Sequence, residues 1–545
     1  MKPACAGAPA REPGDRVNPG RPLCVDWVGV GTDAGRTITD LGATAQGQGP
    51  LSADAILREA CWSDERLARV MACGVTAWGW RHRGMIEREI ADEARHRIRT
   101  LWRAGRSIWA SSYKARYGVG PTPLMRLDRD AALRGERRNM RRCVRQAEEA
   151  SALLAGHVGC RGHQARYASH LARFRRADQL EQHQRLADET LVVDTETGEA
   201  VPLAKVKRQP RQRRAELHVV TRGMIDYEIA HSRWPYFITL TLPATWHPSP
   251  KFGRAKWNGS LPMAGQRELC RRWALARARA KKAGIDFVGA RFVEPHSDGC
   301  VHWHLIQFIR DDEVQRVTDI LTAVFGDLGP AVRIERARSA EGAVKYCMAY
   351  AAKTAACADG QIGQHITSDD LTGVDAWRST WGIRGWQLFG LKGRLGVWRE
   401  CRRKLPDDAP AELRSLARHA RAGQFREFHE EAERTGARIW ATDQEREYPD
   451  PDPARQQRAA AQGQRATLIV HRRRTVGIWL ERRGICIATR RRKWALMRSA
   501  AASAAALAAS GITVTADSGG ERVRTGEIPP AQAPPDGAER VPGAL

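Results

Sequence analysis

One stretch of the chain reads Glu294-Pro-His-Ser-Asp-Gly-Cys-Val-His-Trp-His-Leu-Ile-Gln-Phe308. Its second half is short, apolar and rich in strand-forming residues, so it predicts a β-strand from Val301 to Phe308. Because side chains alternate between the two faces of a strand, His302 and His304 lie on the same face. An isolated His-x-His pair is more often two ordinary half-buried histidines, so the neighbouring sequence has to decide what this pair does.

The residues before this strand predict a β-hairpin. Asp298-Gly299 is a turn signal, and the run 287–293 alternates like a partner strand. A three-residue loop over 297–299 places Glu294 directly across from His302, on the same face. A two-residue loop would turn Glu294 away, because a slip of one residue reverses every side chain of a strand.

Glu294, His302 and His304 together form a predicted metal site. Two imidazoles and a carboxylate suit a divalent cation that keeps coordination positions open for an anionic substrate. His296 shares the face of Glu294 and is the alternative third ligand. Glu294 is favoured because its hard oxygen suits Mg²⁺ or Mn²⁺, and the two nitrogens favour Mn²⁺ in vitro.

A second element, further along the chain, predicts a helix with an unusual polar stripe. Ser339 can cap this helix, and Glu341 falls in its first turn, where negative charge is favourable. Helical spacing then places Tyr346, Tyr350 and Lys353 on one face. Two phenols and an ammonium group are unusual core material, although tyrosines that only cover a core would show the same spacing.

These residues resemble the HUH endonuclease superfamily and, more narrowly, the gene A type replication endonucleases of bacteriophages. The resemblance is carried by His302-Trp303-His304 followed by Tyr346, Tyr350 and Lys353, and it runs from about Arg137 to Leu405. Further segments match in order, namely Phe237-Ile-Thr-Leu-Thr-Leu-Pro243, Lys256-Trp-Asn-Gly259, Arg291-Phe-Val-Glu-Pro-His296 and Trp381-Gly-Ile-Arg384. One departure is Ala349, where many members of the family carry a lysine.

The resemblance implies a site-specific single-strand DNA endonuclease that nicks a replication origin and initiates and terminates rolling-circle replication of phage DNA. Tyr346 or Tyr350 would attack the phosphodiester and form a 5′-phosphotyrosyl intermediate that allows rejoining. Lys353 would stabilise the developing negative charge, and Mg²⁺ or Mn²⁺ at the metal site would polarise the scissile phosphate. The chain has no Gly-x-x-x-x-Gly-Lys-Ser/Thr loop. Strand separation is therefore expected to need a host helicase. The other expected partners are single-stranded and origin DNA and a single-strand-binding protein.

The composition agrees with a nucleic-acid partner. A formal net charge of +27 over 545 residues favours a polyanion, and 42% hydrophobic residues support a packed core. No apolar run reaches the roughly 18 residues that a membrane-spanning helix needs. Residues 1–20 carry charges and prolines where a signal peptide needs an apolar segment. We therefore expect no membrane association and a location in the cytoplasm of the bacterial host.

Changes in composition and periodicity divide the chain into segments. The predicted segments are a disordered leader (1–50), a basic, mostly helical region (51–204), an HUH nuclease domain (205–356), a Trp- and Arg-rich extension of the catalytic region (357–444), a linker (445–466), a small basic DNA-binding element (467–516) and a disordered tail (517–545). Within this extension, residues 377–405 contain four tryptophans beside arginines, a pattern that suits stacking on unpaired bases, although burial in the core is the commoner use of tryptophan.

The predicted fold class is α+β. Strands and helices alternate, but the key pair of strands is a hairpin, which favours a central antiparallel sheet with the His-x-His strand, flanked by helices and preceded by a helical region.

Several alternatives to this function differ in what they require of the sequence. Within the HUH superfamily, relaxases usually carry their tyrosines before the histidine motif, and the related transposases are smaller with one tyrosine. A non-catalytic DNA-binding regulator would not need the full set of catalytic residue types. A metal-dependent hydrolase that uses water would not need two tyrosines on one helix face.

Overall fold

The computed structural model describes residues 68, 70, 72–73, 75–162, 164–251, 256–326, 332–355, 368–391, 393–450 and 453–498. The predicted leader, 1–50, and the predicted tail, 517–545, lie outside these residues. The described chain folds into helices and antiparallel sheets, which confirms the α+β class. In this part of the chain no helix combines the length and the apolar character that a bilayer crossing needs.

The N-terminal part of the described chain is helical, as its periodicity predicts. Its helices are α1 (Ala77–Arg81), α2 (Glu87–Arg97), which continues into a π-helical segment (Ile98–Trp102), α3 (Arg106–Tyr117), α4 (Pro123–Leu127), α5 (Arg129–Leu154) and α6 (His170–Asp188). The Asp128 carboxylate accepts a hydrogen bond from the Ala131 N–H at 2.6 Å at the start of α5. The Ser169 hydroxyl accepts one from the Ala172 N–H at 3.2 Å at the start of α6. These side chains satisfy backbone donors that a first helical turn leaves unpaired.

The middle of the chain alternates strands and helices. In chain order they are β1 (Thr190–Asp194), β2 (Ala200–Pro202), α7 (Leu203–Val206), α8 (Pro210–Ala230), β3 (Trp234–Leu240), α9 (Pro262–Lys282), β4 (Val288–Pro295), β5 (Val301–Ile309), α10 (Val314–Phe325), β6 (Val332–Arg336) and α11 (Ala340–Ala355). Two of the helices, α8 and α9, begin with proline, whose fixed φ and missing N–H suit the first helical position.

The C-terminal part adds further helices, one small three-stranded sheet, and single strands that join the other two sheets. Its elements are α12 (Ser368–Trp381), β7 (Trp386–Phe389), α13 (Arg394–Cys401), α14 (Ala411–Ala422), α15 (Phe425–Thr435), β8 (Ala437–Pro449), α16 (Pro453–Ala461), β9 (Thr467–Leu480), β10 (Ile485–Ala488) and β11 (Trp494–Arg498). Where the sequence predicted a linker, 445–466, the structure has the end of β8 and the whole of α16. Antiparallel backbone pairing with β9 makes a strand of a polar segment whose composition alone suggests a linker. In the segment 467–516, β9 and β10 pair with each other, and β11 returns to pair with β1.

The central sheet has five strands in the order β6-β3-β5-β4-β7, and each neighbouring pair is antiparallel. One face packs on α5, α9, α10 and α12 through residues such as Trp303. The other face packs on α8, α11 and α13 to α15 through residues such as Ile306. The strand β5 is therefore buried on both faces, except at its N-terminal end, where His302 and His304 are only partly buried.

The four tryptophans at 377–405 belong mostly to the core. Trp377, Trp381 and Trp398 are at most 1% exposed, and Trp386 is partly buried. Trp377 also donates its indole N–H to the carbonyl oxygen of Gly299 at 2.9 Å. Three of the four rings are thus closed to a base, and the commoner use of tryptophan in the core is confirmed for them.

The packing of β4 against β5 depends on a glycine. A Cβ on Gly289 would lie 2.0 Å from the carbonyl oxygen of Ile306 and 2.9 Å from the ring of Phe389. We expect Gly289→Ala to lower the free energy of unfolding by about 1 to 3 kcal/mol, because the two strands must move apart. Urea denaturation followed by circular dichroism measures this change.

The matched control for this substitution is Gly120→Ala. A Cβ at Gly120 meets no atom within 4 Å, so its unfolding midpoint should stay close to that of the wild type. Equal midpoints for both variants would contradict the close approach of β4 and β5.

Candidate active site

The hairpin of β4 and β5 brings the predicted metal ligands together. Its register pairs Glu294 with His302. The His296 N–H donates to the Cys300 carbonyl at 2.7 Å, which closes a loop of three residues, 297–299. Gly299 in this loop has a φ of +83°, a conformation that suits glycine. Of the two loop lengths that the sequence left open, the structure has the three-residue loop.

The tip of this hairpin is held by residues outside the central sheet. The Tyr167 N–H donates to the Ser297 carbonyl at 2.7 Å, and Trp377 bonds the next part of the loop. Tyr167 has a φ of +72°, which is uncommon for a residue with a side chain and costs on the order of 1–3 kcal/mol. Surrounding contacts must compensate this strain, so the tip and the helical region hold each other in one arrangement.

A buried carboxylate lies inside the same turn. Asp298 is 1% exposed, accepts a hydrogen bond from the Cys300 N–H at 3.1 Å and lies 3.0 Å from Nδ1 of His247. The ring centroids of His247 and His296 are 4.8 Å apart. Burial, together with the nearby His247, lowers the pKa of His296 to about 4, so this imidazole is neutral at physiological pH. Sequence reasoning missed the contact of His247 with Asp298, because it joins distant residues that share no motif.

Glu294, His302 and His304 form a possible cation site. One ligand atom from each of them lies within 4.8 Å of the others. The Nε2 atoms of the two histidines are 2.7 Å apart, so both rings direct the same nitrogen to one point. Glu294 is 4% exposed, and a carboxylate so shielded from water favours a positive partner. This donor set fits a divalent cation such as Mg²⁺ or Mn²⁺.

The alternative ligand, His296, lies beside this group. Its ring centroid is 4.1 Å from that of His302. Among the residues that the structure describes, the group whose ligand atoms converge contains Glu294 and not His296. Glu294 is therefore the third ligand in the proposal that follows.

The other ring nitrogen of His304 faces two hydroxyl groups. Its Nδ1 lies 3.3 Å from Oη of Tyr346 and 3.3 Å from Oγ1 of Thr239. Thr239 is directly opposite His304 in the register of β3 and β5. Contacts at the outer nitrogen fix the orientation of the ring and leave Nε2 for a cation. The role of Thr239 could be anticipated only from a register that the sequence does not specify.

The helix α11 places both predicted tyrosines against the histidine strand. Its start has the expected cap, since the Ser339 hydroxyl accepts a hydrogen bond from the Gly342 N–H at 3.0 Å. The Tyr350 ring stacks on His304 with centroids 4.1 Å apart, and the Tyr346 ring is 4.7 Å from that of Tyr350. The tyrosines therefore share one face, as helical spacing predicts. The backbone of Lys353 belongs to the same helix, and its side chain lies outside the described part of the chain.

Burial raises the pKa of both phenols. For Tyr346, the neighbouring Tyr350 raises the pKa further. For Tyr350, the charge of Glu294 also raises the pKa, while the hydrogen bond with Tyr346 lowers it. Both phenols are thus neutral at physiological pH, and a neutral phenol is a weak nucleophile. Positive charge near the phenol oxygens is what such a site would need for nucleophilic chemistry.

Comparison with known proteins points to one family. Residues 118–361 match the family described as bacteriophage replication gene A protein, a range that includes every predicted site residue. No solved structure matches the chain. The predicted resemblance to gene A type replication endonucleases is confirmed.

Three relatives illustrate the extent of this similarity. A probable replication protein of Pseudoalteromonas phage PM2 is 31% identical over 265 residues, which cover 44% of this chain and 41% of that protein. The replication gene A protein of Escherichia phage P2 is 32% identical over 238 residues, 39% of this chain and 31% of that protein. A probable replication endonuclease from a prophage-like region of Salmonella paratyphi A is 27% identical over 213 residues, 35% of this chain and 26% of that protein. The match spans less than half of each of these relatives.

Cation binding at the proposed site should be visible as added stability. A ligand that binds only the folded state stabilises it by about 2.7 kcal/mol when its concentration is 100 times its Kd. We expect Mn²⁺ to raise the unfolding temperature relative to chelator, and the double variant His302→Gln, His304→Gln to lose this shift. Thermal unfolding followed by fluorescence measures both.

The control for this experiment is His218→Gln. His218 is exposed on α8, so its replacement should leave the Mn²⁺ shift unchanged. A shift of wild-type size in the double variant would place the cation elsewhere on the chain.

Proposed function

We propose that this chain, which matches the bacteriophage replication gene A family over residues 118–361, is a site-specific single-strand DNA endonuclease that cuts with a tyrosine and rejoins the strands. Its task would be to nick a replication origin, and so to initiate and terminate rolling-circle replication of phage DNA. One observation carries the proposal. The ligand atoms of Glu294, His302 and His304 converge beside two phenols that share one helix face.

The central sheet is part of the proposal. A His-x-His pair on a middle strand, with a tyrosine helix packed on the same face, is the arrangement implied by the resemblance to HUH endonucleases. We assign the sheet of β3 to β7 to that fold. The antiparallel order β6-β3-β5-β4-β7 supports the assignment.

The proposed reaction exchanges one phosphorus–oxygen bond for another. The phenol oxygen of Tyr346 or Tyr350 loses its proton and attacks the phosphorus of the phosphodiester. The bond from phosphorus to the 3′ oxygen breaks, and that oxygen takes up a proton to become a 3′ hydroxyl. The phosphate remains on the tyrosine as a 5′-phosphotyrosyl ester. Because the bond energy is retained in this ester, the 3′ hydroxyl can reverse the step without ATP.

The residues around the phenols support this chemistry. Mg²⁺ or Mn²⁺ held by Glu294, His302 and His304 would supply positive charge beside the scissile phosphate and the attacking oxygen. The raised pKa values of the phenols are consistent with a site that works only when such charge is present. From the family resemblance, Lys353 would stabilise negative charge that develops on the phosphate.

Two nucleophiles allow cutting and rejoining to alternate. While one phenol holds the 5′ end, the other is free to cut the origin when replication regenerates it. The ring centroids of Tyr346 and Tyr350 are 4.7 Å apart, which is close enough for both to use one site. Their positions on a single helix also keep this spacing constant. The expected product of the cycle is a single-stranded circle.

The proposed partners follow from the same cycle. The substrate is single-stranded origin DNA in the bacterial host. Strand separation would come from a host helicase, and the displaced strand would be covered by a single-strand-binding protein.

A covalent adduct is the decisive sign of this mechanism. Incubation of the purified protein with Mn²⁺ and a labelled single-stranded oligonucleotide that carries a candidate origin should give an adduct that survives denaturing electrophoresis. The adduct should disappear with chelator and in the double variant Tyr346→Phe, Tyr350→Phe, because no nucleophile remains. Tyr227→Phe, on α8, should retain the adduct, since this hydroxyl bonds Glu433 at 2.9 Å and lies outside the site.

Other outcomes would favour other functions. Cleavage without an adduct would indicate water as the nucleophile, as in a metal-dependent hydrolase. Binding without cleavage on every origin tested would favour a non-catalytic regulator. An adduct formed only on a transfer origin or a transposon end would favour a relaxase or a transposase. The single variants identify the tyrosine that cuts first, because only one of them should retain the first adduct.

A further inference from the structure

A second concentration of charge lies outside the proposed active site. Two adjoining cavities, of about 360 Å³ and about 400 Å³, open between the start of α8, the helix α13 and the sheet of β8, β9 and β10. Both are lined by Arg208, Arg399 and Arg402, and the second is also lined by Arg403 and Arg490. We call these two cavities together, defined by their five arginines, the arginine cleft.

The first buried glutamate under the cleft orients two of the arginines. Glu216 is 7% exposed. It accepts a hydrogen bond from Arg208 at 2.7 Å and binds two nitrogens of Arg399, with the closest contact at 2.8 Å. A guanidinium group has five N–H donors in one plane. Arg399 uses only its Nε and Nη2 edge on Glu216, so donors on its Nη1 remain available to a ligand.

A second buried glutamate does the same at the other end of the cleft. Glu400 is 3% exposed and accepts hydrogen bonds from Nη2 of Arg490 at 2.9 Å and from the Thr489 hydroxyl at 2.6 Å. Nε of Arg403 lies 3.3 Å from the same carboxylate. The two glutamates thus hold four guanidinium groups in fixed orientations. The arginine side chains therefore lose less conformational entropy when an anion binds.

The charges of the cleft do not cancel. Its five arginines face two glutamates, which leaves an excess of three positive charges. Arg402 is exposed, lines both cavities, and forms no ion pair with any residue that the structure describes. The cleft is therefore built to receive an anion, and Arg402 is the arginine whose charge is not already compensated.

The direction of the helices relates the cleft to the tyrosines. The C-terminal end of α8 and the N-terminal end of α11 adjoin the same end of the sheet, because the start of β3 pairs with the end of β6. The two helices therefore run antiparallel, with Arg222 and Glu341 in contact at 3.7 Å. Because both helices rise by the same distance per residue, Tyr350 of α11 lies level with the first turns of α8. Glu216, which lines the cleft, follows directly after those turns. The cleft and the tyrosines therefore lie toward the same end of this helix pair.

We propose that the arginine cleft binds backbone phosphates of the DNA strand that occupies the tyrosine site. The proposed function supplies the identity of the polyanion, and the cleft supplies the chemistry. Arginine suits phosphate because its planar donors match two phosphate oxygens. The volumes are those of a small-ligand pocket, which is enough room for phosphates and sugars of one strand. Such contacts set the position of the strand and carry no base preference.

Arg402→Gln tests this proposal without removing the partner of a buried carboxylate. The full-length protein is titrated into a fluorescent single-stranded oligonucleotide in chelator, and anisotropy gives the affinity at several salt concentrations. We expect weaker binding, and a slope of log K against log salt that falls in magnitude by about 0.7 for each phosphate that the variant no longer neutralises. Arg402→Lys, which keeps the charge, should retain most of the slope.

The matched control is Arg277→Gln. Arg277 is exposed on α9, which packs on the opposite face of the central sheet. This variant should keep the affinity and slope of the wild type. An unchanged slope in Arg402→Gln would overturn the proposal, and so would an equal loss of affinity in both variants, which would reveal a general effect of net charge.

A parallel adduct assay separates this proposal from the proposed function. At saturating oligonucleotide, the wild type and Arg277→Gln should both form the adduct, because Arg277 lies outside the tyrosine site and outside the cleft. Absence of an adduct in the wild type would defeat the proposed function, while the salt slopes would still decide whether the cleft binds a phosphate backbone.

Discussion

The register of one hairpin is the constraint on which the site depends. With a three-residue loop between β4 and β5, Glu294 is opposite His302 and the three possible ligands share a face. A shift by one residue would place Glu294 in the opposite core, because strand side chains alternate. The loop is held by its glycine at positive φ, by a buried aspartate and by backbone contacts from the helical region. The position of the site is thus set by contacts of the hairpin loop, which lies outside the site itself.

The sheet then converts this local register into a rigid site. The strand β5 is in the middle of five strands and is covered on both faces, so the histidines project from a backbone that has little freedom to move. The helix α11 packs on the same face, where Tyr346 stacks on Phe237 and Tyr350 stacks on His304. The burial that orients the phenols also raises their pKa values, so the same packing makes them depend on nearby positive charge.

The parts that the composition separates are joined in the folded chain. Ala147 and Leu153 of the helical region belong to one core with the central sheet. The C-terminal strand β9 contributes Ile478 to the core on the other face. The arginine cleft arises from the same union, since its walls come from α8, α13 and the C-terminal sheet. Buried carboxylates at such a junction orient arginines that, read along the sequence, look like ordinary surface charge.

The sequence by itself determined the local geometry of the site. A period of two residues placed His302 and His304 on one face of a strand, and helical spacing placed Tyr346 and Tyr350 on one face of a helix. It also predicted the resemblance to gene A type replication endonucleases, because an ordered set of short motifs is specific where each motif alone is weak. Only the tertiary structure decided the loop length, the contact of the helix with the strand, the pairing of Asp298 with His247, and the strand at 437–449 and helix at 453–461. The physical reason is range: periodicity reports which face of an element is buried, whereas register and the meeting of distant side chains depend on the packing of the whole chain.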